Sequence, residues 1–178
     1  MSPILFSTFD VTRQVFFQSR LCFGLVNLKP IVPGHVLVVP KRVVPRLADL
    51  TREEITDLFG SAQRIGQVVE REYKAESLTV ACQDGPAAGQ SVPHVHIHVL
   101  PRKWVDFGGH NDAVYPALDE TESSMLEDIA TLAPEPHKHR GRQELKVDNE
   151  SRKPRTLEEM EEEAVWLKDF FKDDDPQA

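Results

Sequence analysis

The sequence predicts an α+β protein with a largely antiparallel sheet of about five strands, one long helix and a C-terminal helix. Three observations lead to this prediction. Two short apolar runs separated by Pro and Gly come first, a long stretch with helical spacing follows, and two more apolar runs come after it. At 178 residues the chain has the length of one domain, which is enough to bury a sizeable core.

The first two strands are predicted within residues 21–40. "LCFGLVNLK" (21–29) is mostly apolar, "PIVPG" has the composition of a turn, and "HVLVVP" (35–40) is a second apolar run. The two runs are therefore expected to form a hairpin. Two further strands are predicted after the long helix, in "SLTVACQDG" (77–85) and "HVHIHVLP" (94–101).

The long helix is predicted over residues 51–73. Its apolar residues recur at helical spacing: Ile55, Leu58, Phe59, Ala62, Ile65 and Val69. Thr51 and Glu54 form a capping box, in which each side chain accepts from an unpaired N–H of the first turn. Residues 156–171 show the same features, with Thr156 and Glu159 as the capping box.

The composition divides the chain into three parts. Residues 1–118 hold the predicted strands and the long helix, and form the core of the domain. Residues 119–155 are rich in charge and have few apolar residues, so we expect a flexible insertion there. Residues 156–178 form the C-terminal helix, which packs on the core, and an acidic tail.

The charge balance limits the partners. With 21 basic and 29 acidic residues the net charge is −8, which disfavours non-specific nucleic-acid binding. No run approaches the ~20 apolar residues that span a bilayer, and the N-terminus does not resemble a secretory signal. We expect a soluble protein of the cytoplasm, with the nucleus as a second compartment that the sequence leaves open.

Three of the seven histidines alternate in "HVHIHV", residues 94–99. On a strand His94, His96 and His98 would share one face, while the apolar residues between them would face the core. A polar strand face rarely uses histidine, because each buried ring must find hydrogen-bond partners. The row therefore indicates chemistry.

Three interpretations of the row remain open at this point. It could be a solvated strand face, a metal site or a centre for phosphate chemistry. A metal site is disfavoured because no Cys or acidic residue stands nearby at ligand spacing. Phosphate chemistry suits imidazole, which is a nucleophile at neutral pH and carries protons in both directions. The Gly-containing loop "DGPAAGQSVP" leads directly into the row, and such loops can offer N–H groups to anions.

"HVHIHVLPR" resembles the signature of the histidine triad superfamily, three histidines separated by apolar residues. "GLVNLKPIVPGHVLVVPKR", "CQDGPAAGQSVPHVHIHVLPRK" and "DFGGHNDAVY" are similar to its fragile histidine triad branch, the dinucleoside triphosphate hydrolases. The resemblance covers most of residues 4–118 and returns at the C-terminal helix. It implies the histidine-triad fold and a homodimer in which two sheets join edge to edge.

The resemblance also implies roles for individual residues. His96 would be the nucleophile that forms a nucleotidyl-histidine, His98 would contact the phosphates and assist the leaving group, and His94 would orient His96. His35 would support the site from the neighbouring strand. The residues implied in substrate binding are Asn27, Gln83, Gly89, Gln90, Ser91, Val92 and His98. No residue is assigned to a metal.

The implied activity is hydrolysis of dinucleoside polyphosphates, with diadenosine triphosphate preferred and cleaved to AMP and ADP. Within the same superfamily, a nucleoside phosphoramidase or adenylyl-sulfate hydrolase is the alternative. A nucleotide-loaded signalling module is a candidate of another class. A divalent cation, Mg²⁺ or Mn²⁺, is expected as a counterion of the substrate and not as a tightly bound cofactor.

Overall fold

The computed structural model describes residues 2–132 and 154–174. These residues form seven strands and three α-helices. In chain order they are β1 (Leu5–Phe6), β2 (Phe9–Asp10), β3 (Val15–Gln18), β4 (Cys22–Val26), β5 (Val36–Pro40), α1 (Arg52–Glu72), β6 (Ser77–Ala81), β7 (Ile97–Arg102), α2 (Val114–Leu132) and α3 (Leu157–Lys168).

Five of the strands form one sheet in the order β3-β4-β5-β7-β6, and every neighbouring pair is antiparallel. The predicted fold class is thereby confirmed. β1 and β2 form a separate small hairpin. The sequence did not predict this hairpin or β3, because strands of two to four residues are too short to show a periodic pattern.

Helices α1 and α3 begin where their capping boxes predict. The side chains of Thr51 and Thr156 accept from the N–H groups of Glu54 and Glu159, and both reciprocal bonds are present. α1 packs on one face of the sheet, mainly on β7 and β4, whereas α3 contacts β3 and β4. Among the described helices none combines the length and apolar content needed to cross a membrane.

The turn before β5 depends on Gly34. Its φ of 81° lies in the left-handed region, and a Cβ at this position would come within 2.5 Å of the Tyr73 ring. Only glycine meets both conditions without displacing its neighbour. This tight approach fixes where the next residue, His35, enters the sheet.

Helix α2 corrects part of the sequence analysis. The expectation of a flexible segment from residue 119 is wrong for residues 119–132, which continue this helix. The polar and acidic residues of this helix obscured its helical pattern in the sequence. Its buried residues nevertheless recur at helical spacing, and they are Val114, Ala117, Leu118, Thr121, Glu122, Met125 and Ile129. Residues 133–153 of the predicted insertion lie outside the described residues, and the domain boundaries stay a prediction.

The histidine row is only partly a strand. β7 begins at Ile97, so of the three histidines only His98 lies in the sheet. The backbone N–H of His94 donates to Val92 O and that of Val95 to Val44 O, both at 2.8 Å. These bonds to loop residues replace a ladder with β5, which pairs with β7 only at residues 97–99.

Candidate active site

His96 is held in one ring orientation by its own chain. Its Nδ1 lies 2.8 Å from the carbonyl oxygen of His94. Because a carbonyl only accepts, Nδ1 must carry a proton and donate it in this bond. The other ring nitrogen, Nε2, then faces the site. The residue as a whole is buried, with 2% of its surface exposed. This geometry suits a nucleophile, whose attacking nitrogen must be aimed while the other is restrained.

The hydrogen bonds of His35 fix the proton of His98. The Ile31 N–H donates to His35 Nδ1 at 3.2 Å, so the proton of the neutral His35 ring resides on Nε2. That nitrogen lies 2.9 Å from His98 Nδ1 and donates to it. His98 therefore carries its own proton on Nε2, and this N–H points into the site. A neutral donor at this place suits a phosphate oxygen.

His94 has a structural role through its ring. The Ser7 N–H donates to its Nδ1, and its Nε2 donates to Pro40 O, both at 2.9 Å. The ring thus joins the β1–β2 hairpin to the end of β5. Only the backbone carbonyl of His94 reaches His96, so His94 positions the predicted nucleophile through its main chain.

The loop before the row places backbone donors next to His96. Gly85 and Gly89 adopt positive φ values, 102° and 95°. The Gln90 side chain accepts from the Gly85 N–H within the loop and donates to Pro45 O outside it. Both ends of its amide therefore hold the loop in place. Val92 is fully buried in the core and can reach a ligand only through its backbone. Ser91 directs its N–H and its hydroxyl toward the site.

Gln83 and Asn27 are also brought to the site. Gln83 is buried beside Gly89, where an added Cβ would lie 2.7 Å from its amide nitrogen. Asn27 Nδ2 lies 3.2 Å from His35 Nε2, and the proton on this nitrogen is donated to His98. All the residues that the resemblance implied are therefore neighbours in the fold, although the side chains of Gln90 and Val92 point elsewhere. Their roles in binding stay predictions.

Glu122 on α2 is the site residue that the sequence analysis missed. It is fully buried, and its Oε2 lies 3.1 Å from His96 Nε2 and 3.4 Å from His98 Nε2. Its Oε1 accepts from the Ser91 N–H at 3.0 Å. One turn earlier, Asp119 accepts from Gln83 Nε2 at 2.9 Å. No local pattern could have revealed these contacts, since 26 residues separate His96 from Glu122.

The surroundings of Glu122 favour the charged form of its carboxylate. Burial by itself would raise the pKa of Glu122, but the hydrogen bonds from His96 and His98 outweigh it and hold the pKa below its ordinary value. Burial lowers the pKa of His98, against the hydrogen bond to Glu122, so this ring stays neutral.

His96, His98 and Glu122 are also the described residues that could hold a metal ion, since their ligand atoms lie within 4.8 Å of one another. A metal needs the lone pair of His98 Nε2, however, and the bond from His35 places a proton there. The present arrangement therefore suits an anion better than a cation.

Arg155 is a second residue that the sequence analysis missed. Its Nε donates to the carbonyl oxygen of Asn27 at 3.1 Å, and a second guanidinium nitrogen donates to the same oxygen. Its third nitrogen pairs with Glu163 of α3 at 2.5 Å. The start of α3 is thereby tied to the end of β4, where Asn27 borders the site.

Acid is expected to destabilise the protein through His94. Burial lowers the pKa of His94 to about 4, against the Pro40 hydrogen bond that favours the charged ring, whereas the ordinary value is 6.5. Between these values the unfolded chain binds more protons than the folded one, so the free energy of unfolding falls as the pH falls from 6.5 to 4. The loss from this group is at most about 3 kcal/mol.

Urea unfolding between pH 7.5 and 4 measures this effect. His94→Gln should show a shallower loss of stability with acid than the wild type, in which the buried His98 also contributes. His110→Gln, a matched change at an exposed histidine, should retain the full dependence. The same pH dependence in all three proteins would contradict the assignment.

Comparison with known proteins finds a matching family model and similar relatives. Residues 8–105 match the HIT domain family model. The chain is 46% identical over 175 residues to a Schizosaccharomyces pombe protein named bis(5'-nucleosyl)-tetraphosphatase [asymmetrical], with 96% of each chain covered. It is 45% identical over 159 residues to a bifunctional bis(5'-adenosyl)-triphosphatase/adenylylsulfatase of Arabidopsis thaliana, which covers 89% of this chain and 78% of the relative.

The fold has a solved counterpart. A Plasmodium falciparum diadenosine triphosphate hydrolase, crystallised with cyclomarin A, superposes with a TM-score of 0.68 at 25% sequence identity. The alignment covers 98% of this chain and 87% of that structure.

Proposed function

Because the chain belongs to the HIT domain family, we propose that it hydrolyses dinucleoside polyphosphates, with diadenosine triphosphate as the preferred substrate. The observation that carries this proposal is that one ring nitrogen is placed to attack phosphorus and another is placed to donate a hydrogen bond. His96 Nδ1 is fixed by the His94 carbonyl, so that Nε2 can attack. His98 Nε2 holds a proton that can stabilise charge on the phosphates.

The reaction proceeds in two displacements. In the first, the lone pair of His96 Nε2 attacks the α-phosphorus, an N–P bond forms, and the P–O bond to ADP breaks with its electron pair going to ADP. The N–H groups of His98 and Ser91 stabilise the phosphate oxygens. In the second, water attacks the same phosphorus, the N–P bond returns its electrons to the imidazole, AMP leaves, and one proton passes to solution.

Product analysis in ¹⁸O-labelled water tests this function. Diadenosine triphosphate should give AMP and ADP in equal amounts, with ¹⁸O only in AMP, because water attacks the nucleotidyl-histidine. Diadenosine tetraphosphate should give AMP and ATP at a lower kcat/KM. The name of the Schizosaccharomyces pombe relative makes this comparison necessary. A higher kcat/KM on the tetraphosphate would overturn the preference, and no AMP from either substrate would overturn the function.

Adenylyl sulfate is the second candidate substrate. The same attack of His96 on phosphorus would release sulfate, and the Arabidopsis relative carries both activities in its name. Its kcat/KM, and that of an adenosine phosphoramidate, should lie below the value for diadenosine triphosphate.

A divalent cation, Mg²⁺ or Mn²⁺, is proposed as a counterion of the polyphosphate chain. The site supplies N–H donors and imidazoles, which support binding of an anion that brings its own cation. Chelation with EDTA should slow turnover, whereas elemental analysis of the purified protein should find no stoichiometric metal.

The quaternary structure and compartment are proposed as well. β6 is an outer strand of the sheet, and Val80 on it is 49% exposed, which supports a homodimer joined at this edge. Sedimentation should give twice the mass of the chain. We propose a cytoplasmic protein that also enters the nucleus, which microscopy of a fluorescent fusion would test.

A further inference from the structure

Helix α2 closes the triad. His94, His96 and His98 are each at most 2% exposed, and two cavities of about 630 and 400 Å³ elsewhere on the surface have none of them in their walls. The Glu122 oxygen lies 3.1 Å from the nitrogen that has to bond to phosphorus. A phosphoryl group bonded to Nε2 would occupy the same space, so the substrate and the docked helix exclude each other.

The helix binds the site as a polyanion would. Glu122 takes the hydrogen bonds of His96 and of the Ser91 N–H, and Asp119 takes that of Gln83. These two carboxylates are three residues apart and therefore share one face of the helix. The groups that they contact are the ones proposed to bind phosphates. α2 thus presents a pair of carboxylates where the substrate would present a polyphosphate.

Further along α2, two contacts secure it from outside the triad. Asp128 pairs with Lys29 at 2.6 Å, and both side chains are mostly shielded from water. Met125 and Ile129 bury their side chains in the main apolar core. The docked position is therefore a packed state of the helix and not a chance contact of one side chain.

Docking also engages the attacking nitrogen. Nδ1 of His96 is bonded to the His94 carbonyl, and Nε2 is bonded to Glu122. A nitrogen held in this hydrogen bond has no lone pair free to attack phosphorus. The N–H of His98 points at the same carboxylate, 3.4 Å away, so a phosphate in the place of Glu122 would receive this donor as well.

We infer that α2 is an intramolecular inhibitor, which occupies the polyphosphate site with Glu122 and Asp119 and must undock before a dinucleotide can bind. This inference rests on the proposed function. The segment before the helix contains Gly108 and Gly109, and glycine has access to more backbone conformations than any other residue, which makes this segment the place where the chain would bend. The docked and open states are in equilibrium, so the apparent affinity for substrate is reduced by the fraction of open molecules.

Glu122→Ala tests the inference, with Glu127→Ala as the matched control. Both remove one carboxylate from α2, but Glu127 is exposed. We expect Glu122→Ala to lower the KM for diadenosine triphosphate by about tenfold, the factor for a helix that is docked about nine-tenths of the time. Its kcat should not fall. Glu127→Ala should match the wild type in both constants.

An unchanged or higher KM in Glu122→Ala would overturn the inference. If kcat also fell, Glu122 would be a participant in the reaction and not an inhibitor. These outcomes differ from failure of the proposed function, in which neither protein releases AMP at any substrate concentration.

Hydrogen exchange on the wild type gives a second test that needs no variant. Adding a methylene-bridged, hydrolysis-resistant analogue of diadenosine triphosphate should accelerate amide exchange in residues 114–132 and leave α1 unchanged. Equal or slower exchange in α2 with the analogue bound would contradict undocking.

Discussion

Replacing His96 with asparagine is expected to lower the turnover of diadenosine triphosphate by at least about 10³-fold, because the variant has no atom that can form the bond to phosphorus. The asparagine amide overlaps the Nδ1 half of the imidazole and can still donate to the His94 carbonyl. What disappears is Nε2, the nitrogen that faces the site. The fold and the binding of the nucleotide should survive.

Three measurements check this result together. Steady-state rates give the loss of turnover, and calorimetry with the methylene-bridged analogue shows whether binding persists. Acid quenching during turnover of radiolabelled substrate should leave adenylate on wild-type His96 and none on the variant. His110→Asn, the same change at an exposed histidine, should behave as the wild type. Full activity in His96→Asn would exclude the nucleotidyl-histidine.

Replacing His35 with leucine should reduce kcat by about 10²-fold, the lower end of what a positioned proton donor contributes. His35 does not reach the phosphates. It acts through His98, because its Nε2–H holds Nδ1 of that ring as an acceptor and keeps the proton on the side of the substrate. Without it, His98 can adopt the other tautomer and present a lone pair to a phosphate oxygen, which repels it.

A positioning role differs from a purely structural one in three readouts. KM should rise by a smaller factor than kcat falls, the pH profile of kcat should shift as His98 loses its fixed tautomer, and His35→Gln should restore much of the activity. The glutamine Nε2 can occupy the place of the imidazole Nε2 and donate to His98. Thermal unfolding should show that the leucine variant is less stable by about 1–3 kcal/mol, because His98 Nδ1 becomes a buried acceptor without a donor. If glutamine restores no activity beyond that of leucine, the tautomer argument fails.

Several parts of the molecule follow from short-range patterns. The capping boxes at Thr51 and Thr156 predict where two helices begin, because the N-terminal N–H groups of a helix must be satisfied within one turn. The apolar runs around residues 22–26, 36–40, 77–81 and 97–102 predict four strands of the main sheet. The alternating histidines and the Gly-containing loop before them predict phosphate chemistry at one place.

Other elements could not be predicted in this way. β3 and the β1–β2 hairpin are too short to show a period, and they exist through pairing and through contacts such as that of Ser7 with His94. Strand alternation placed the three histidines on one face of a strand, but the backbone bonds of His94 and Val95 to loop residues delay the start of β7 to Ile97.

The sequence by itself determined the class of fold, where two helices begin and which histidines are the candidates for the chemistry. These depend on groups within a few residues of each other, where spacing translates directly into geometry. Only the tertiary structure decided which nitrogen of each histidine bears a proton and that Glu122 lies against His96. The His96 proton is fixed by a carbonyl only two positions away, but the His98 proton and the Glu122 contact depend on residue pairs 63 and 26 positions apart. Such contacts are set by how the elements pack, and the local pattern around each residue does not record them.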